Sequence, residues 1–264
     1  MIIFHKQGFD KRIVSYEFIH NISQKDVKAL IDATDPKPGE NILDAMCGYG
    51  AAGKDILARE KTVKLFILDE SKVQINRARE NLNELPKERF VLSKLPLSPF
   101  GNGVFEKIIV KMGLHENPKK EQLKIARELY RILKPGGKIV IWDIMLDKRN
   151  QALFQSVIRE KDKLAGFEML VSKRYFFREE EFLEIMKKAG FSNIKEFHKI
   201  NYQFSSKKRL VQELNNKIEK LNELNDFIRK IFPEKLKKQL KYKDFGDDIR
   251  FVITKKIYVC WKKS

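Results

Sequence analysis

Apolar residues fall along this chain in short blocks separated by polar stretches. Asn41-Ile42-Leu43-Asp44, Val63-Lys64-Leu65-Phe66-Ile67-Leu68 and Phe90-Val91-Leu92 are compact blocks rich in strand-forming side chains. So are Glu106-Lys107-Ile108-Ile109-Val110-Lys111-Met112 and Lys138-Ile139-Val140-Ile141-Trp142. Each predicts a strand. Between them, residues 51–59, 71–85 and 121–133 carry apolar positions at helical spacing. Ser23 and Ser71 are placed to cap helices. Asp35-Pro36-Lys37-Pro38-Gly39 and Lys134-Pro135-Gly136-Gly137 punctuate the pattern as breaks. Strand alternating with helix predicts an α/β fold: a mostly parallel, Rossmann-like sheet with helices on both faces.

The rhythm changes after Asp143. Residues 147–165 read as a connecting helix, and 178–189 as a helix stopped by Gly190. Residues 194–204 and 249–261 read as strands. Between these two strands, Val211, Ile218, Asn225 and Phe232 fall seven apart, and Leu214, Leu221 and Ile228 form the neighbouring row. That heptad pattern predicts a helical insertion whose stripe must lie against something. The boundaries that follow are an N-terminal helical lid segment over 1–37, a core over 38–204, a basic helical insertion over 205–248, and a last core strand over 249–264. The insertion is expected to act as a lid, with a homodimer contact through 208–241 as the other possibility.

Composition narrows the class. With 42% apolar residues over 264 positions the chain is expected to be globular. Two cysteines, Cys47 and Cys260, exclude a disulfide framework and a cysteine-based zinc site. No run of about 18 apolar residues exists to cross a membrane, and residues 1–12 lack an apolar signal core, so a cytoplasmic location is expected. The net charge of +18 is uneven: residues 205–264 hold 17 Lys+Arg against 8 Asp+Glu. Lysine supplies most of the excess, and lysine is the weaker fork for phosphate and base edges.

Ligands of open α/β sheets bind outside the carboxyl ends of the strands. Here those ends carry Asp44-Ala45-Met46-Cys47-Gly48-Tyr49-Gly50, then Asp69, Ser93, Lys111 to His115, and Asp143. Gly48 and Gly50 permit close backbone approach to a ligand. Asp69 can accept two hydrogen bonds from neighbouring ribose hydroxyls. Gly48, Gly50 and Gly53 match the bare G-x-G-x-x-G spacing, but the acid at Asp44 ahead of them disfavours a dinucleotide reading.

Ile42-Leu43-Asp44-Ala45-Met46-Cys47-Gly48-Tyr49-Gly50 resembles the first motif of class I S-adenosylmethionine-dependent methyltransferases. Leu68-Asp69-Glu70-Ser71, Phe105-Glu106-Lys107-Ile108-Ile109 and Leu114-His115 resemble later motifs of that family, in order. Leu129-Tyr130-Arg131-Ile132-Leu133-Lys134-Pro135-Gly136-Gly137 and Lys188-Ala189-Gly190-Phe191 do so too. The pattern is most similar to the small-molecule group that includes quinone-biosynthesis enzymes. The resemblance implies seven strands, with the last inserted beside the fifth, and S-adenosylmethionine as cofactor. It implies cofactor contacts at Tyr16, Asp44, Met46, Gly48, Gly50, Asp69, Glu70, Ser93, Leu95 and Lys111. His115 is the one titratable side chain that motif order puts near methyl transfer, so it is the candidate base. Two departures stand out: Met46 replaces the motif's first glycine, and no acid follows the third strand, where Ser93 is the nearest polar group. Tyr175, Phe176 and Phe177 are expected either to line a substrate pocket or to pack the sheet. No metal-ligand cluster is evident. The expected activity is methylation of an anionic or lipid-like small molecule in a capped pocket. RNA as substrate, gripped by the basic C-terminal region, and a non-catalytic cofactor-binding scaffold are the alternatives.

Overall fold

A computed structural model of the chain describes residues 23–264. The parallel strands are β1 (Asn41–Ala45), β2 (Lys64–Asp69), β3 (Phe90–Leu92), β4 (Phe105–Lys111) and β5 (Leu133–Ile144). β6 (Ser192–Ser205), β7 (Lys243–Asp244) and β8 (Ile249–Trp261) follow. The order is β3-β2-β1-β4-β5-β8-β6, with the two-residue β7 paired to β8. The last long strand therefore lies beside the fifth, as the resemblance implies; β7 makes eight strands where seven were expected. The pairs β1–β2, β1–β4, β2–β3 and β4–β5 are parallel. Ile42, Leu43, Ala45, Ile108, Ile109 and Val110 are wholly buried, as strands covered on both faces require.

Ten α-helices lie among the described residues. α1 (Gln24–Thr34) is capped by Ser23, whose hydroxyl accepts from Asp26 N. α2 (Ala51–Arg59) starts at Gly50, in the left-handed conformation. α3 (Lys72–Asn81) is capped by Ser71 and ends before the expected 85, where Leu82 closes the last turn. α4 is Lys119–Ile132. The helix stops ahead of Lys134 to Gly137, as the sequence predicts, and these residues themselves belong to β5. Phe105 pairs with Leu133 but Lys107 with Lys138, so the extra residues bulge out of the ladder. A Cβ on Gly137 would fall 2.8 Å from Glu106 O, which is why the bulge needs glycine there. Gly190, after α7 (Glu179–Ala189), takes φ of +108°, and the Tyr130 ring packs against its bare Cα. Phe191 meets the same ring edge-on at 5.1 Å. His198, which has no evident partner pattern in the sequence, pairs with Asp26 at 3.0 Å.

The chain forms two compact units. One comprises 23–143, 180–199 and 256–264; it holds the parallel strands and α1 to α4. The other, among described residues, comprises 144–179 and 200–255. It contains α5 (Gln151–Leu164), α6 (Glu168–Lys173), α8 (Lys207–Gln212), α9 (Ile218–Ile231) and α10 (Glu234–Lys237). The connecting helix and the insertion thus form one unit rather than separate parts of the chain. β6 and β8 are long enough to begin in one unit and end in the other.

The second unit has its own aromatic core. Phe251 stacks on Phe204 at 4.7 Å and meets Phe232 at 5.4 Å, while Phe154 meets Phe176 at 4.9 Å. Phe176 and Phe177 are both buried, so they pack the interior. The heptad stripe is interrupted: Asn215 and Asn216 adopt positive φ between α8 and α9. Leu214, Leu221 and Ile228 are buried, but Val211 and Ile218 are 69% and 62% exposed. Asn225 and Phe232 of the second row are buried too, so only the start of that row is uncovered; α9 packs on α5.

Candidate functional site

The unit of parallel strands brings the sequence-predicted residues to the carboxyl ends of β1 to β5. Asp44, near the end of β1, is buried, and its Oδ2 accepts from Gly53 N at 2.9 Å. That bond ties the strand to the first turn of α2. A Cβ on Gly53 would sit 3.0 Å from both Leu65 and Ile67, so the third glycine serves helix–sheet packing. Burial raises the Asp44 carboxyl to about 7, partly offset by the Gly53 N–H and Lys111.

The loop after β1 turns three times through the left-handed region, at Met46, Gly48 and Gly50. Cys47 N donates to Leu68 O at 3.1 Å, and Gly50 N to Cys47 O at 3.0 Å. Gly48 N donates to Asp69 Oδ2 at 2.9 Å, and Ser71 N to Asp69 Oδ1 at 2.9 Å. Both carboxylate oxygens are thus fixed by backbone N–H groups. Gln74 Oε1 is a buried acceptor with no hydrogen-bond partner, and it is the one atom within 4 Å of a Cβ built on Gly48. No motif or spacing points to Gln74; its place one turn into α3 brings it under the glycine loop.

Met46 occupies a space that glycine leaves elsewhere. A Cβ on Gly113 would lie 2.7 Å from Met46 Cβ and Sδ, so the bulky residue of the first loop rests on a bare Cα of the loop after β4. Asn117 Nδ2 bonds Gly113 O at 3.0 Å and lies 3.8 Å from Met46 Sδ. Met112 also takes positive φ, and its N–H donates to Trp142 O at 2.7 Å. Lys111 Nζ stands over the Trp142 ring at 5.4 Å.

His115, the candidate base, lies between two carboxylates. It is 4% exposed, with Nδ1 2.5 Å from Asp143 Oδ1 and Nε2 3.4 Å from Glu116 Oε1. Burial pulls its pKa down, but the two carboxylates outweigh it and hold the ring at about 10. The two carboxylates thus favour the charged form of the imidazole. Asp143 Oδ2 also accepts from Leu114 N at 3.1 Å and His115 N at 3.3 Å, so one buried carboxylate shapes the whole loop.

The remaining candidates are less engaged. Glu70 faces Lys94 at 3.6 Å. Ser93 Oγ donates to Leu97 O within its own loop, and Leu95 beside it is buried. Tyr16 lies outside the described residues. Among the described residues no cluster of metal-ligating side chains occurs, and no helix is long and apolar enough to cross a membrane.

Residues 42–137 match a family described as a methyltransferase domain. An uncharacterized methyltransferase of Synechocystis is 30% identical over 107 residues, covering 40% of this chain and 48% of that protein. The demethylmenaquinone methyltransferase of Lactococcus lactis is 31% identical over 119 residues, covering 44% and 45%. The chain thus spans about half the length of the curated relatives it matches. A solved structure from Bacillus halodurans, described by name as a methyltransferase, superposes with a TM-score of 0.76 at 20% identity. It covers 91% of this chain and all of its own, which shows a shared fold.

Proposed function

We propose, from the premise that this chain carries a class I S-adenosylmethionine-dependent methyltransferase domain, that it transfers a methyl group to a small-molecule acceptor of anionic or lipid-like character. The observation that carries the reading is the cradle of Gly48, Asp69 and Gln74. A fixed carboxylate beside an unpartnered buried acceptor fits the paired hydroxyls of a nucleoside. Gly48, at positive φ and without a side chain, leaves its backbone open to approach.

S-adenosylmethionine, when bound, supplies a methyl group made electrophilic by its sulfonium. The chain's residues supply position and exclusion of water. Asp69 would hold the ribose, with Gln74 as a second acceptor. Gly48, Gly50 and the Met46 backbone would flank the methionine portion, and Asp44 would brace that loop through Gly53. The carbonyls around Lys111 and the side chain of Leu95 would complete the enclosure. His115, locked between Asp143 and Glu116, is read as a positioning residue that fixes the loop after β4. Alignment of acceptor and methyl donor can contribute several kcal/mol without any proton transfer by the protein.

The test is transfer of labelled methyl from S-adenosylmethionine to a panel of anionic metabolites, lipid extracts and total RNA at two salt concentrations. Label in the small-molecule fraction supports the reading. Label in RNA, lost steeply at high salt, would replace it with nucleic-acid methylation. Cofactor binding without transfer to any arm would favour a scaffold.

A further inference from the structure

The second compact unit holds a group that methyl transfer does not explain. Arg209, on α8, is 4% exposed. Of the five donors of its guanidinium, Nη2 bonds the Tyr202 hydroxyl. Nη1 is 3.7 Å from Glu213 Oε2, beyond hydrogen-bond reach, and Phe204 covers one face at 5.0 Å. Nε is buried with no partner. The other oxygen of Glu213 bonds Lys161 Nζ at 2.8 Å, so one carboxylate faces two buried cations. Lys161 turns also to Asp162, at 2.6 Å, and Arg174 grips Asp162 with Nη1 at 3.0 and 2.9 Å. Asn225 is 1% exposed, and neither its Oδ1 nor its Nδ2 has a partner. It lies on α9, which packs on both α5, the helix of Lys161, and α8, the helix of Arg209.

A buried cation with one hydrogen bond is costly, and an apolar residue of similar size would usually serve stability better. A buried guanidinium with an unpartnered Nε is what a bound oxyanion would complete. Planar oxygens pair with a guanidinium in a charge-assisted, directional way. We propose that this unit contains a buried oxyanion-binding site centred on Arg209, with Lys161, which shares the Glu213 carboxylate with it, adding positive charge, for a carboxylate or phosphate group. This goes beyond the methyl-transfer reading and does not depend on it.

The experiment is thermal unfolding of the full chain in sodium phosphate and in sodium acetate, each against sodium chloride at equal ionic strength. A saturable rise in Tm in either oxyanion is expected, by about 3 °C for each tenfold of anion above Kd. The arm that responds identifies the group, and a response in both indicates a general oxyanion site. Arg209→Met should abolish the rise. Arg209→Lys, which keeps the charge, should need at least about tenfold more anion. Lys217→Met, at an exposed position, should leave the rise intact. No difference from chloride in either arm would overturn the proposal. So would an equal loss in Lys217→Met, or an unchanged response in Arg209→Lys. S-adenosylmethionine binding measured on the same samples reports separately on the methyl-transfer reading.

Discussion

At the residue scale, geometry holds the charges of two buried side chains. His115 titrates near 6.5 when unfolded and at about 10 when folded. A raised cationic pKa adds stability that is complete below about 6.5 and is lost as pH rises toward 10. The Tm should therefore fall across that window, and His115→Gln should flatten the fall; an unchanged slope would remove the imidazolium from the account. Asp44 contributes differently. Its carboxyl is raised from 3.8 to about 7, so the unfolded chain ionises first and stability is lost as pH rises from about 4 to 7. Asp44→Asn keeps an acceptor for Gly53 N and should lose that dependence in the same melts. The sequence disclosed Asp44, Asp69 and the glycines because their types and spacing follow from the loop. It did not disclose that His115 would be charged, since Asp143 lies 28 residues away and only the sheet order brings them together.

At the element scale, the loops after β1 and β4 are fitted to each other. Met46 fills what Gly113 leaves, so Gly113→Ala should destabilise by about 1–3 kcal/mol through overpacking. Met46→Gly should restore much of it in the double variant, and denaturant melts of the four proteins measure the coupling. Additive losses would show that the two loops do not depend on each other. The interrupted heptad gives a second contrast. Leu214→Ala, in the buried row, should cost about 2–5 kcal/mol. Val211→Ser, at the exposed start of the other row, should change stability by no more than about 0.5 kcal/mol. The regular spacing of Val211 and Ile218 suggested one continuous stripe. Asn215 and Asn216, which tolerate positive φ, allow the turn that breaks it, and a seven-residue count does not register that turn. The strands were legible in the sequence because buried parallel strands are continuous apolar runs. The β5 bulge was not, since proline and paired glycines signal a turn whether or not the ladder continues past it.

At the scale of the whole molecule, the chain divides its work between two units. One carries the residues that match the methyltransferase domain family and every described residue proposed for the cofactor. The other gathers the connecting helix and the basic insertion around an aromatic core of its own. That grouping was hidden from the sequence because residues 144–179 and 200–255 are separated by α7 and the first part of β6. The excess of 17 basic over 8 acidic residues in 205–264 includes Arg209 and Lys255, both buried. A count of charges therefore overstates what that region presents to a partner, and turnover of a small acceptor should lack the steep salt dependence of phosphate-backbone binding. The most direct test of the central claim is calorimetric titration of S-adenosylmethionine into the wild-type chain and Asp69→Asn. The account predicts one site in the wild type and binding weaker by roughly 30-fold in the variant, equivalent to about 2 kcal/mol for a charged acceptor. Equal affinity in the two proteins, or no binding in the wild type, would contradict it.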